Sequence, residues 1–233
     1  DMSGWTAPDG RPMLFIADAG DNGPNWKPGR SSVQVYRTAE PTNVPDPASG
    51  MALVTIPASA VQRVNVTYLD QNGAKASVDV EGFTMDSNGD GYFFDKQLMD
   101  GLNGHNRQSR VFVAKGLATA PAGSWVTATY AGAVRGNLYS SWTDPSAPSS
   151  KNVGPTAADL SDDGHWLAVR TYTATFLWYR ADITTPLIDT LKAANAGTCN
   201  FGETGAVPSG ESITWSPDGR GLFALPEGNG AQM

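Results

Sequence analysis

The feature that most constrains this chain is a hairpin phrase that recurs four times. Residues 79–96 read Asp-Val-Glu-Gly-Phe-Thr-Met-Asp-Ser-Asn-Gly-Asp-Gly-Tyr-Phe-Phe-Asp-Lys: an apolar run, a cluster of turn formers, and a second apolar run ending in charge. Thr6-Ala7-Pro8-Asp9-Gly10 leads into Met13-Leu14-Phe15-Ile16-Ala17-Asp18 in the same way. Leu160-Ser161-Asp162-Asp163-Gly164 leads into Trp166-Leu167-Ala168-Val169-Arg170, and Thr214-Trp215-Ser216-Pro217-Asp218-Gly219 into Leu222-Phe223-Ala224-Leu225-Pro226-Glu227. Self-similarity of this kind bears on the architecture before any single residue does.

Alternating segments follow the hairpins at residues 32–37, 110–114, 125–131 and 174–179, as half-buried strands do. Asn72-Gly73 marks a further hairpin between residues 64–69 and 76–80. Residues 185–196, with Pro186 near the start and Gly197 beyond the end, form the one predicted helix. Residues 40–50, 100–108 and 139–156 are rich in turn formers and are predicted as loops. The predicted architecture is all-β: a single β-propeller domain over 1–233, built of repeated four-stranded antiparallel blades. A β-sandwich competes but leaves the recurrent hairpin unexplained. Asp9, Asp90, Asp163 and Asp218 are separated by 81, 73 and 55 residues, more than the ~40–50 of a simple blade. Long loops or a degenerate blade therefore lie between the hairpins. The chain starts in one hairpin and stops after another, so the ring is expected to be incomplete and to need further polypeptide.

Charge and composition narrow the function. The net charge is −7, which argues against nucleic acid or an anionic membrane as partner, because both attract clustered Lys and Arg. No apolar run approaches the ~20 residues of a bilayer span. Cys199 is the only cysteine, so no internal disulfide forms. That fits a reducing compartment, and equally a bacterial secreted protein without disulfides.

With the hairpins aligned on their Asp-Gly turns, Glu81 and Glu211 fall at the same place once Asn88-Gly89 is taken as a two-residue insertion. Asp159 lies three residues further along the equivalent strand, and Asp18, Lys96, Arg170 and Glu227 stand where the second strands end. In a propeller the first strand of each blade lines the central channel. Asp18, Asp21, Glu81, Asp159, Glu211 and Glu227 are thus candidate ligands for a hard cation such as calcium. Lys96 and Arg170 are candidate partners for an anion, phosphate above all. Asp86-x-Asn88-x-Asp90-Gly91 imitates the start of an EF-hand loop, but position twelve is Gln97 and the flanks are strands, so it reads as a hairpin turn. Gly210-Glu211-Ser212-Ile213-Thr214 only approximates a nucleophile elbow, and the two histidines, His105 and His165, are too few for a zinc cage without carboxylates.

In chain order, Phe15-Ile16-Ala17-Asp18-Ala19-Gly20-Asp21-Asn22, Asp79-Val80-Glu81-Gly82, Ala168-Val169-Arg170-Thr171-Tyr172, Gly210-Glu211-Ser212-Ile213 and Pro226-Glu227-Gly228 resemble the bacterial, often secreted, phytase-like propellers labelled "esterase-like activity of phytase". The resemblance implies a propeller whose acids bind calcium and that hydrolyses phosphoesters. Glu81, Glu211, Glu227 and Asp18 would then ligate metal or water, with Lys96 and Arg170 receiving phosphate. Glu81, Glu211, Lys96 and Arg170 are the catalytic candidates on this reading. The family usually carries an acid in the strand before the first turn, where this chain has Met2-Ser3-Gly4-Trp5. Two functions stand open: a calcium-dependent hydrolase of a small phosphorylated substrate, or a non-catalytic propeller that binds a protein or glycan with calcium as a structural clip.

Overall fold

A computed structural model describes residues 1–21, 29–30, 32–42, 54–99, 108–134, 154–171, 174–193, 197–199 and 210–226. Strands β1 (Met2–Thr6), β2 (Pro12–Asp18), β3 (Ser32–Ala39) and β4 (Gln62–Leu69) form an antiparallel meander. Strands β5 (Val80–Met85), β6 (Gly91–Met99), β7 (Gln108–Ala114) and β8 (Trp125–Ala133) form a second. A third contains β9 (Ala157–Leu160), β10 (Trp166–Arg170), β11 (Thr175–Tyr179) and β12 (Gly197–Cys199), and β13 (Gly210–Trp215) pairs with β14 (Leu222–Pro226).

The protein is mostly β, as expected, but the first two meanders are not separate sheets. β4 pairs in parallel with β8, from Asn65 opposite Trp125 to Leu69 opposite Thr129. The result is one eight-stranded sheet in the order β1-β2-β3-β4-β8-β7-β6-β5, nearly closed like a barrel. Its end strands meet through side chains. Asp1 Oδ2 accepts the Phe83 N–H at 3.0 Å, and Ser3 Oγ accepts that of Met85 at 2.9 Å. A parallel seam between two meander edges leaves no mark in the sequence, since it is made of backbone groups and any alternating strand can supply it.

Two cores flank β6. Phe93 turns to one side, where its ring lies 5.7 Å from that of Tyr68 and 5.0 Å from that of Phe83, and Tyr68 in turn packs 5.4 Å from Phe112. Tyr92 and Phe94 turn to the other, against Val111, Val169, Trp178 and Leu187. Strict alternation along a strand buried on both faces produces this division. The predicted helix is real but shorter, Leu187–Lys192 (α1), and places Leu187 and Leu191 in the second core. The predicted strand at 76–80 is a correction. Beyond the Asn72-Gly73 turn only the Leu69–Lys75 bridge and the Ala76 N–H to Tyr68 bond remain, and the chain leaves to begin β5.

The hairpin turns share one geometry. The N–H of each turn glycine returns to the carbonyl three residues earlier: Gly10 to Ala7, Gly89 to Asp86, Gly164 to Ser161 and Gly219 to Ser216, at 2.7–3.0 Å. These glycines have φ of 66–83°, the left-handed position of a three-residue hairpin loop. The second turn is therefore Asn88-Gly89 and not Asp90-Gly91. Gly91 already pairs with Met85 in the ladder. Asp90 instead accepts the Gly116 N–H at 2.7 Å. The Asp86 carboxylate is occupied by the N–H groups of Asn88 and Asp90, as expected of a turn.

Candidate functional site

Correcting the second turn removes the insertion. Glu81 stands eight residues before Gly89, and Glu211 eight before Gly219. Each glutamate is also the extra residue of a β-bulge. Val80 faces Asp95 and Gly82 faces Phe94, while Gly210 faces Pro226 and Ser212 faces Leu225, so Glu81 and Glu211 are both passed over by the ladder. A bulge bends the strand and re-aims its unpaired side chain.

The strands that carry these residues converge at their starts. A Cβ on Gly82 would lie 3.3 Å from the Ala157 carbonyl carbon, so glycine sets the approach of β5 to β9. Thr156, eight residues before Gly164 and thus at the place of Glu81 and Glu211, donates its hydroxyl to the Gly210 carbonyl at 2.6 Å. Asp1 Oδ2 accepts both the Phe83 N–H and, at 3.2 Å, the Ala158 N–H, tying β5 to β9. Asp1 supplies a carboxylate one residue ahead of Met2-Ser3-Gly4-Trp5, the stretch that looked empty of acid.

A buried cation stands beside each bulge. Lys96 Nζ lies 3.2 Å from Glu81 Oε1, with side-chain exposures of 10% and 19%. The Lys96 N–H donates to the Asp79 carbonyl at 2.7 Å, which places the ammonium next to Glu81. Arg170 is buried, and a Cβ on Gly210 would fall 2.1 Å from its Nε and Nη2. Glycine leaves the guanidinium this place, and any side chain there would push it aside. The chain thus presents Glu81 with Lys96 from its own hairpin, and Gly210-Glu211 with Arg170 from the neighbouring sheet.

Asp79, which the hairpin alignment did not single out, is buried behind Glu81 and accepts the Asp21 N–H at 2.8 Å. Burial first, and then the charge of Glu81, raise its pKa against the opposing Asp21 hydrogen bond and Lys96. Its signal was the alternation Asp79-Val80-Glu81, which puts two acids on one side of the strand start.

The metal candidates scatter. Asp21 accepts the N–H groups of Gly29 and Arg30. Asp18 is exposed and meets Arg30 Nη1 at 3.1 Å. Asp159 faces β13, accepting the Trp215 N–H at 2.9 Å and the Thr214 hydroxyl at 3.0 Å. Burial outweighs those bonds and lifts its pKa to about 6. Glu227 lies outside the described residues, as do His105 and Asn22. Among the described residues no three Asp, Glu, His or Cys side chains are grouped to hold a metal ion. A calcium ion takes 6–8 oxygens as a rule; here Asp21 and Asp159 are engaged with backbone N–H groups, and Asp18 and Glu81 with cations. No helix is long and apolar enough to cross a membrane among the described residues. No family model matches the chain, and no curated protein matches it significantly.

Proposed function

We propose that the chain is a β-propeller module of the phytase-like type, and that the converging strand starts bind a small phosphorylated molecule. Support for the propeller comes from the order of the elements. The first strand of each unit packs on the first strand of the next, β1 on β5, β5 on β9 and β9 on β13, as inner strands do around a shared axis. The observation that carries the site is a buried cation beside each bulge: Lys96 in an ion pair with the bulge-borne Glu81, and Arg170 against the Gly210 that precedes the bulge-borne Glu211.

Lysine offers a phosphate a compact charge, and arginine a planar fork of donors. The glutamates accept hydrogen bonds from the hydroxyls of a polyol ester, and Glu81 holds Lys96 in place. Glu81, engaged with Lys96 at 3.2 Å, acts here as a positioning group, which favours binding over hydrolysis. Calcium-dependent hydrolysis is the second reading, resting on the sequence resemblance, and one experiment separates the two.

Calorimetric titration with phytate and with phenyl phosphate is run with calcium and with chelator, while released phosphate is followed. Binding is expected with either ester. Lys96→Met and Arg170→Met each weaken it about tenfold or more, the loss expected for one charge-assisted contact. No binding of either ester overturns the proposal. Calcium-dependent phosphate release abolished by Glu81→Gln establishes the hydrolase instead.

A further inference from the structure

A cavity of about 470 Å³ opens at the other end of the first meander, between the β1–β2 turn, the end of β3 and the turn at 117–120. Arg37 lines it and is 9% exposed. Its Nε donates to Gln62 Oε1 at 2.9 Å, its Nη1 to the Ala118 carbonyl at 2.5 Å, and its Nη2 to the Ala120 carbonyl at 2.7 Å. All of these partners are neutral. Among the described residues no carboxylate lies within ion-pair distance of Arg37, and the Asp9–Arg11 pair at the rim cancels itself. A buried charge without a counter-charge is costly, and the chain as a whole is acidic at −7. The cavity is therefore a local positive site in a negative protein.

One wall is a fixed aromatic. Trp5 packs edge-on to Phe15 with centroids 6.2 Å apart, and its Nε1 donates to the Ser87 carbonyl at 3.4 Å. Gly89 leaves no room behind it, since a Cβ there would lie 3.3 Å from the indole. Met13, Ala39 and Ala60 add apolar surface. Apolar surface of this kind beside a charged group, in a concavity of this size, matches the general make-up of small-molecule sites.

We propose that this cavity binds a small organic anion, a carboxylate on a flat apolar body, with the anionic end at Arg37 and the body against Trp5. The site is independent of Glu81 and Lys96. It is tested with benzoate as probe and benzyl alcohol as its neutral counterpart, by calorimetry and by NMR of the indole and guanidinium N–H signals. Benzoate is expected to saturate and to move the Trp5 and Arg37 signals. Benzyl alcohol should bind at least about tenfold more weakly, and Arg37→Gln should lose a similar factor for benzoate. Lys96→Met leaves benzoate affinity unchanged, which separates this site from the phosphoester site. Equal affinity for the acid and the alcohol, unaltered affinity in Arg37→Gln, or no binding shows Arg37 to be only a clasp on the 117–120 turn. Should Arg37→Gln fail to fold, Ala60→Trp decides: its indole fills the cavity mouth while the Arg37 bonds to carbonyls stay intact. Benzoate binding retained in that variant overturns the proposal.

Discussion

Asp159 offers the most quantitative test of the packing between β9 and β13. Its folded-state pKa of about 6 stands above the ordinary carboxyl value of 3.8, because burial disfavours the charge more than Trp215 and Thr214 favour it. A carboxyl raised in this way contributes stability that is fully present below the unfolded pKa and lost as pH rises through the folded one. Between pH 4.5 and 7.5 those two pKa values remove ~2 kcal/mol from the unfolding free energy. Asp159→Asn cannot ionise and keeps one good acceptor for the pair of donors. It loses ~1 kcal/mol of hydrogen bonding that does not depend on pH. The difference in stability between the variant and the parent should therefore shift by ~2 kcal/mol towards the variant on going from pH 4.5 to 7.5. Other carboxylates titrate identically in both proteins and cancel. Urea unfolding at the two pH values, followed by tryptophan fluorescence, reads the shift. Parallel curves, or a shift towards the parent, would refute the burial of Asp159 against β13.

The remaining expectations follow from close contacts. Gly91→Ala would place its Cβ 2.5 Å from Leu117 Cδ2 in the main core, and should cost ~1–3 kcal/mol through overpacking, read as a lower urea midpoint. Gly10→Ala has open space around it but φ of 83°, so its cost should be ~1–2 kcal/mol and purely conformational. Gly89→Ala combines φ of 80° with a Cβ 2.8 Å from that of Ala118, and should exceed Gly10→Ala in the same assay. Gly210→Ala pushes directly on the Arg170 guanidinium. It should weaken phenyl phosphate binding about tenfold or more in calorimetry if Arg170 holds the anion as proposed.

How much was legible in the sequence depended on whether a signal was local. β3, β7, β8 and β11 were visible because their alternation is set by which face each residue buries. The turn aspartates were visible as well. Asp163 Oδ1 accepts the His165 N–H and the Ser161 hydroxyl, and Asp218 Oδ1 the Arg220 N–H and the Ser216 hydroxyl. The second turn was misplaced by two residues because Asn88-Gly89 and Asp90-Gly91 are both good turn formers in succession. Packing decided between them: Asp90 binds the Gly116 N–H, and Gly91 lies against Leu117.

The candidate site divides along the same line. The equivalence of Glu81 and Glu211 could be read from spacing, and it became simpler once the turn glycine was fixed by its left-handed φ. The bulges could not be read, since an unpaired ladder residue has no required side chain. Nor could the meeting of Arg170 with Gly210, residues far apart in the chain whose contact is written only in the missing Cβ. That contact changes what the glutamates mean. An acid at a strand start is ordinarily a solvated terminus. Glu81 instead lies 3.2 Å from a lysine with only 10% of its side chain exposed, and Glu211 follows a glycine whose lack of a Cβ admits a buried arginine. The phosphoester proposed as ligand, anionic at one end and hydroxylated at the other, offers a partner to the cations and to the glutamates at once, and a protein or glycan surface without phosphate offers one only to the glutamates.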